Sequence, residues 1–370
     1  MKKISDKVNV LLFGGFIGVF GLCALLLPDK AFSEMENRAL QQTPQFSVTG
    51  LFDGSFADET ETHLADQFIL RDESVAAKTA LEALAGRREF NGVYLAEGRL
   101  LERMDPPDEE RLAANIAAVR SMGQVLDQPV WLALAPTAAD VYKDMLPKGA
   151  PTADQQALLS RIYAQCGVDT IDLAGPLRAQ REGYIFYRTD HHWTSLGAYY
   201  GAQALLDAMG QEIAPLDRFH PERVTEDFNG TLFSSSGVRS VQPDAIDVYV
   251  QPGNEQVVSW RTGSPEVGRL YDESFLQTKD KYSFFLGGNQ PLAVIRTGNP
   301  GGKLLILRDS YADSLAPFLL DHFAEIHLFD ARYFKQSVSS YVEQNQIDQV
   351  VLLFSLKNFL TDSDLQLVCR

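Results

Sequence analysis

A chain of 370 residues that is 45% hydrophobic and 22% charged can bury one large core, or a core and a smaller companion, and is neither disordered nor fibrous in composition. Its 33 basic residues face 49 acidic ones, a formal charge of -16, which excludes a phosphate-neutralising surface and with it a nucleic-acid partner. No internal repeat or low-complexity tract breaks the sequence.

In chain order, Lys2, Lys3 and Lys7 come first, followed by an apolar stretch from Val8 to Leu27 whose one strongly polar member is Asn9. About 20 such residues match a bilayer span. Lysines stay on the cytoplasmic side, so the expectation for residues 1–28 is a single-pass anchor with everything after Pro28 extracytoplasmic. A cleaved signal peptide ending near Ala31-Phe32-Ser33 is the alternative, although secretory apolar regions are shorter. Cys23 lies within the span and follows Leu22 rather than a small residue, which argues against lipoprotein processing. Cys166 and Cys369 either pair in an oxidising compartment or remain separate thiols.

Residues 29–90 are expected to form a tether and N-terminal helices: the acidic, polar stretch from Ser33 to Asp72 leads into a short helix near Thr60 to Phe68. The body, 91–370, opens with a hairpin, Val93-Tyr94-Leu95 and Leu100-Leu101 about a turn at Glu97-Gly98. Leu112, Ile116, Val119 and Met122 recur at helical spacing within Glu109 to Leu126, and the apolar run from Val130 to Leu134 follows as a buried strand. Gln155 to Cys166 and Val168 to Leu173 repeat this order. Lys303 to Leu307, Glu325 to Phe329 and Gln349 to Phe354 read as strands separated by helices over Ser314 to Phe323 and Val338 to Gln344. Short strands alternating with helices predict an α/β fold with a mainly parallel sheet covered on both faces. Between about 217 and 298, glycine and proline punctuation and strand-like pieces at Ile246 to Val250 and Val257 to Trp260 predict a long β-rich insertion. Its Trp260 and Tyr271 are either sugar-stacking or core residues.

Two strings carry chemistry. Asp190-His191-His192-Trp193 precedes a helix over Leu196 to Met209, and Arg308-Asp309-Ser310-Tyr311 follows the strand Lys303 to Leu307. Serine needs an imidazole to take its proton and a carboxylate to orient that imidazole, so Ser310, His192 and Asp190 form a candidate triad, with His191 structural. The Ser310 and Tyr311 amides are candidate oxyanion donors; helix capping by Asp309 or Ser310 is the plainer alternative. Asp190, His191, His192 and Asp309, with His220 or His322 as further candidates, are also possible metal ligands, but neither His-x-x-x-His nor His-x-His occurs, so no metal and no cofactor is expected.

The two strings together, with Pro317-Phe318-Leu319, Glu36-Asn37-Arg38, Asp66-Gln67-Phe68, Arg71-Asp72, Phe228-Asn229-Gly230-Thr231-Leu232 and Asp330-Ala331-Arg332-Tyr333-Phe334, resemble the bacterial DHHW family, distant relatives of the SGNH-hydrolase-like proteins that O-acetylate alginate. The resemblance implies a three-layer α/β/α SGNH-hydrolase-like body with permuted motif order. It also implies an extracytoplasmic serine-dependent O-acetyltransferase acting on an envelope or secreted polysaccharide, with a membrane acyltransferase as acetyl donor. A carbohydrate acetyl esterase with the same triad and a non-catalytic polysaccharide-binding envelope protein are the alternatives. Arg308 stands where SGNH hydrolases have glycine, and Asn358 lies just beyond the last strand. Both are candidate substrate or oxyanion contacts, Asn358 alternatively a surface asparagine.

Overall fold

In a computed structural model of the chain, the described residues are 2–33, 35–261 and 263–369, with the side chains of 2–6 and 23–25 outside the description; Lys2, Lys3 and Cys23 fall among these. The first helix, α1, spans Lys2–Leu26. Among the described residues, no helix is long and apolar enough to cross a membrane. The chain divides into two compact units, residues 1–90 with 237–240, and 91–236 with 241–370.

In the first unit, β1 (Phe32–Ser33) and β2 (Arg38–Ala39) pair antiparallel, and α2 (Val48–Asp53), α3 (Ser55–Asp66), α4 (Arg71–Leu84) and β3 (Glu89–Phe90) follow. The segment 29–90, expected to hold a tether and N-terminal helices, carries three helices over residues 48–84. Gly54, at a φ of 87°, ends α2 and begins α3 in one residue, a left-handed conformation that costs glycine little. Asp66 receives Arg38 at 2.9 and 2.5 Å and the Gln41 amide at 2.9 Å, while Glu36 holds Arg71 at 2.7 Å.

The second unit opens with the hairpin of β4 (Val93–Ala96) and β5 (Arg99–Glu102). Glu97 and Gly98, at φ of 41° and 80°, form the two-residue turn whose twist suits paired strands. Next come α5 (Glu109–Val125), β6 (Val130–Ala135), α6 (Ala138–Val141), α7 (Gln155–Gln165), β7 (Asp169–Ile171), α8 (Ala174–Ala179) and α9 (Ser195–Ala208). A ribbon of β8 (Glu222–Phe228) and β9 (Asp244–Val248) flanks α10 (Thr231–Ser236). The remainder is β10 (Gln256–Ser259), β11 (Glu266–Val267), β12 (Leu292–Arg296), β13 (Lys303–Arg308), α11 (Tyr311–Leu315), β14 (Glu325–Phe329), α12 (Val338–Asn345), β15 (Gln349–Ser355), α13 (Leu356–Thr361) and α14 (Leu365–Val368).

Among the described residues, eight strands form one large sheet in the order β11-β10-β12-β14-β13-β15-β6-β7, parallel from β14 to β7 and antiparallel across β12, β10 and β11. The strands read as continuous apolar runs because both faces are buried. Leu304 and Ile306 of β13 join the core under α9 and α11, whereas Leu305 and Leu307 join the core under α5, α7 and α12.

Two expectations change. The stretch 217–298 is not one separate insertion: β8 and β9 stand apart, but β10, β11 and β12 extend the main sheet, covering an edge that β14 would otherwise expose. The helix expected over Ser314 to Phe323 begins at Tyr311 and passes into a 3-10 turn at Ala316–Leu319 with Pro317 at its start, since proline has no N–H to continue the α-ladder. Trp260 packs, partly buried, against the core, and Tyr271 stacks on Phe284 with ring centroids 5.0 Å apart, so both serve packing. Cys166 and Cys369 are buried free thiols, and the possible disulfide between them is not formed.

Candidate active site

The carboxyl ends of three adjacent parallel strands, β13, β15 and β6, deliver Ser310, Ser355 and Thr137 to one edge of the sheet, the place where α/β folds collect ligands. Asp309 shapes the exit from β13. Its Oδ1 accepts the Tyr311 N–H at 3.0 Å, and its Oδ2 accepts the Ser355 N–H at 2.8 Å and the Asn358 Nδ2–H at 2.7 Å. Asp309 is thus the local cap, and Ser310 makes no side-chain cap. The hydroxyl of half-buried Ser310 instead lies 2.7 Å from His192 Nε2.

His192 reaches that position because its loop folds back on itself: Tyr187 N–H donates to His192 O at 3.3 Å and Thr194 N–H to Ile185 O at 2.9 Å. Buried Asp244 ties down the approach, accepting the Arg188 and Thr189 amides at 2.8 and 2.7 Å. Trp193, fully buried, donates from Nε1 to Tyr311 O at 3.1 Å and Ser314 Oγ at 3.0 Å, which fastens the histidine loop directly to the serine helix. α9 presents glycine beneath that indole: a Cβ on Gly201 would lie 2.9 Å from Trp193 Cη2.

Asp190 Oδ1 accepts His192 Nδ1–H at 2.6 Å and the His192 amide at 3.0 Å; Oδ2 accepts the Thr231 amide at 2.8 Å and its hydroxyl at 3.0 Å. Burial by itself raises a carboxyl, but the charges of His191 and His192 and these hydrogen bonds outweigh it and hold Asp190 well below the usual carboxylate range. With Nδ1–H committed to an ionised Asp190, Nε2 of the neutral ring is the free acceptor for the serine proton. Tyr282 stacks on His192 with centroids 3.7 Å apart and planes 7° from parallel, and donates its hydroxyl to Ser310 O at 3.0 Å. The arrangement has the parts of a nucleophile, base and orienting acid.

Asp190, His191 and His192 also offer three possible metal-ligand atoms within 4.8 Å of one another. The ring nitrogens are already engaged, His192 Nδ1 with Asp190, His192 Nε2 with Ser310 and His191 Nδ1 with Thr231, which is the pattern of a polarised imidazole.

Of the other expected contacts, Asn358 lines an open cavity of about 310 Å³ together with Tyr311, His191, Thr137 and Lys357. The Tyr311 amide, expected as an oxyanion donor, is taken by Asp309. Arg308, expected as a substrate contact, is 0% exposed and pairs with Asp313 at 3.0 Å, so it braces the strand end from within. Burial pushes the Asp313 carboxyl up to about 7 against the pull of Arg308. Sequence reasoning assigned no role to Thr231, Tyr282 or Asp244; Thr231 carried a signal, standing in the Phe228 to Leu232 string that resembles a family landmark.

A family model described as DHHW protein matches residues 108–329. "Probable alginate O-acetylase AlgJ" of Pseudomonas putida is 30% identical over 200 residues, 51% of this chain and 51% of that protein. The chain thus spans about half the length of the curated relatives it matches. A solved DHHW family protein from Eubacterium siraeum is 25% identical, with a TM-score of 0.65 over 75% of this chain and 95% of that one. PatB1 of Bacillus cereus, at 18% identity, shares the fold with a TM-score of 0.63 over 75% and 99% of the two chains.

Proposed function

The chain belongs to the DHHW family, and from that premise we propose that it is a serine-dependent O-acetyltransferase acting on an envelope or secreted polysaccharide. The observation that carries the reading is the continuous line from Asp190 through His192 to Ser310, with contacts of 2.6 and 2.7 Å. The similarity to proteins named alginate O-acetylase supports acetyl transfer to a sugar polymer.

In the reaction, Ser310 Oγ attacks the carbonyl carbon of the acetyl donor while His192 Nε2 takes the serine proton. As the tetrahedral adduct collapses, the donor oxygen leaves with that proton, and the acetyl group stays on Ser310. A sugar hydroxyl then attacks the acetyl-serine, gives its proton to His192, and releases the acetylated sugar as the proton returns to Ser310 Oγ. Asp190 holds the ring and balances the imidazolium in both halves. The Ser310 amide and Asn358 Nδ2 are the oxyanion donors in this account, Asn358 being fixed by its bond to Asp309. The chain itself requires no metal or cofactor in these steps.

The reading also takes the body, 91–370, as SGNH-like with the serine string late and the histidine string early, a permuted order, behind a region 29–90 and an anchor in 1–28. The anchor rests on the apolar run from Val8 to Leu27 and places the body outside the cytoplasmic membrane, with a membrane acyltransferase supplying acetyl groups. The test feeds the full chain a chromogenic acetate ester with and without oligosaccharide. Release accelerated by sugar, with acetylated sugar formed, is expected; release indifferent to sugar identifies an esterase, and no release in either case identifies a binding protein.

A further inference from the structure

Thr231 has one hydroxyl hydrogen and two polar neighbours. Its Oγ1 lies 3.0 Å from Asp190 Oδ2 and 2.7 Å from His191 Nδ1. Asp190 is held ionised, so the hydrogen between those two oxygens belongs to the threonine. The contact with His191 is left with one polarity: Nδ1 carries the hydrogen and Thr231 accepts it. Burial is the main cause that lowers the pKa of His191, and it favours the neutral ring. A neutral imidazole protonated at Nδ1 has a bare acceptor at Nε2. Among the described residues the ring's hydrogen bond is made at Nδ1, to Thr231, and His191 lines the cavity at the strand ends.

The two imidazoles lie side by side, with ring centroids 3.8 Å apart and planes 37° from parallel. His192 Nε2 receives the proton of the attacking sugar hydroxyl in the second half-reaction. The adjoining His191 ring offers a second acceptor at its own Nε2. The charged partners on this lining, Lys357 and Glu102, neutralise each other in an ion pair, and the remaining polar side chains beside His191 are hydroxyls and the Asn358 amide, all neutral. Such a lining suits recognition through hydroxyls rather than through a sugar carboxylate.

We propose that His191 Nε2 accepts a hydrogen bond from a second hydroxyl of the acceptor sugar, adjacent to the one that attacks, so that the acceptor class is a sugar unit with a free vicinal diol. This rests on the acetyltransferase reading above. The side chain called structural in the sequence thus becomes a binding residue, and Thr231 becomes the residue that fixes its tautomer.

The experiment loads the full chain with acetyl from a chromogenic ester and compares a methyl glycoside bearing a free vicinal diol with its analogues O-methylated at one hydroxyl or the other. For the wild type, blocking the neighbouring hydroxyl is expected to raise the acceptor KM about tenfold, the scale of one lost hydrogen bond at a partly shielded site. His191→Phe, which keeps a ring beside His192 and deletes both nitrogens, is expected to raise KM for the diol about as much and to erase the preference for diol over blocked acceptor. Equal use of diol and blocked acceptors by the wild type would overturn the proposal without any variant. So would a His191→Phe protein that loses transfer to both acceptors in the same proportion, the mark of a structural role. A wild type that forms acetyl-serine but uses neither sugar overturns the proposal and makes the protein an esterase; one that forms no acetyl-serine removes the acetyltransferase reading itself.

Discussion

A serine at the start of a helix commonly spends its hydroxyl on the helix's own amides, and Ser310 is released from that duty because Asp309 accepts the Tyr311 N–H in its place. His192→Ala is therefore expected to lower kcat/KM for an acetyl ester by about 10³-fold or more, as loss of a triad base does. His191→Ala should cost far less on the same ester, because its ring makes no contact with the serine hydroxyl; the reverse ranking would mean that the base is the other ring. Asp190→Asn tests orientation. The two Thr231 donors claim the new amide's oxygen and leave its NH₂ facing His192 Nδ1, so the ring's hydrogen moves to Nε2 and points at Ser310. A fall of roughly 10³ to 10⁴-fold with an unchanged melting temperature is expected, and an active Asp190→Asn protein would contradict the assignment. Asp190, His192 and Ser310 were legible in the sequence because each belongs to a short string whose residue types announce their chemistry. Thr231, Tyr282 and Asp244 act through contacts with residues far away in the chain; Thr231 stands in the Phe228 to Leu232 string, but nothing around Tyr282 or Asp244 marks their partners.

Elements place these residues, and their tight approaches offer separate tests. Gly230 precedes α10 where a Cβ would lie 2.3 Å from the Asp190 side chain, so Gly230→Ala must displace the carboxylate or the strand behind it. The variant is expected to lose most activity on the chromogenic ester while keeping its circular dichroism spectrum; full activity would show that the Asp190 position is not critical. In the first unit, the Arg38 hydrogen bond draws Asp66 down to about 2, with the Gln41 amide assisting. An unfolded aspartate titrates near 4, so the unfolded chain binds more protons in this window, and the stabilisation present above about pH 4 is lost as pH falls through about 2. The first unit's unfolding midpoint, followed between pH 5 and 2, should drop less steeply in Asp66→Asn than in the wild type; identical slopes would contradict this. The central strands were readable because both-face burial leaves uninterrupted apolar runs, as in Lys303–Arg308 and Gln349–Ser355. β10 and β12 were misplaced because glycine and proline mark where turns fall, not which sheet edge the intervening strands join. The expected Ser314 to Phe323 helix runs through Pro317, where the chain instead passes into a 3-10 turn.

For the whole molecule, the chemistry has to operate where its donor and acceptor meet. An anchor in residues 1–28 predicts that the full chain sediments with membranes and resists alkaline carbonate, and that a variant lacking those residues is released; extraction of the full chain by carbonate would remove the anchor from the account. The net charge of -16 adds an expectation for acidic acceptors. Long-range repulsion slows their approach at low ionic strength, so transfer to a charged oligosaccharide should rise with salt while transfer to a neutral one stays level. The proposed transfer requires a covalent acetyl-enzyme, which gives the central claim its most direct test: mass spectrometry of the protein quenched in acid during turnover of an acetyl ester. The account predicts one acetyl group on the peptide that contains Ser310, absent from Ser310→Ala. Equal labelling of both proteins, or an acetyl group confined to another residue, would contradict it.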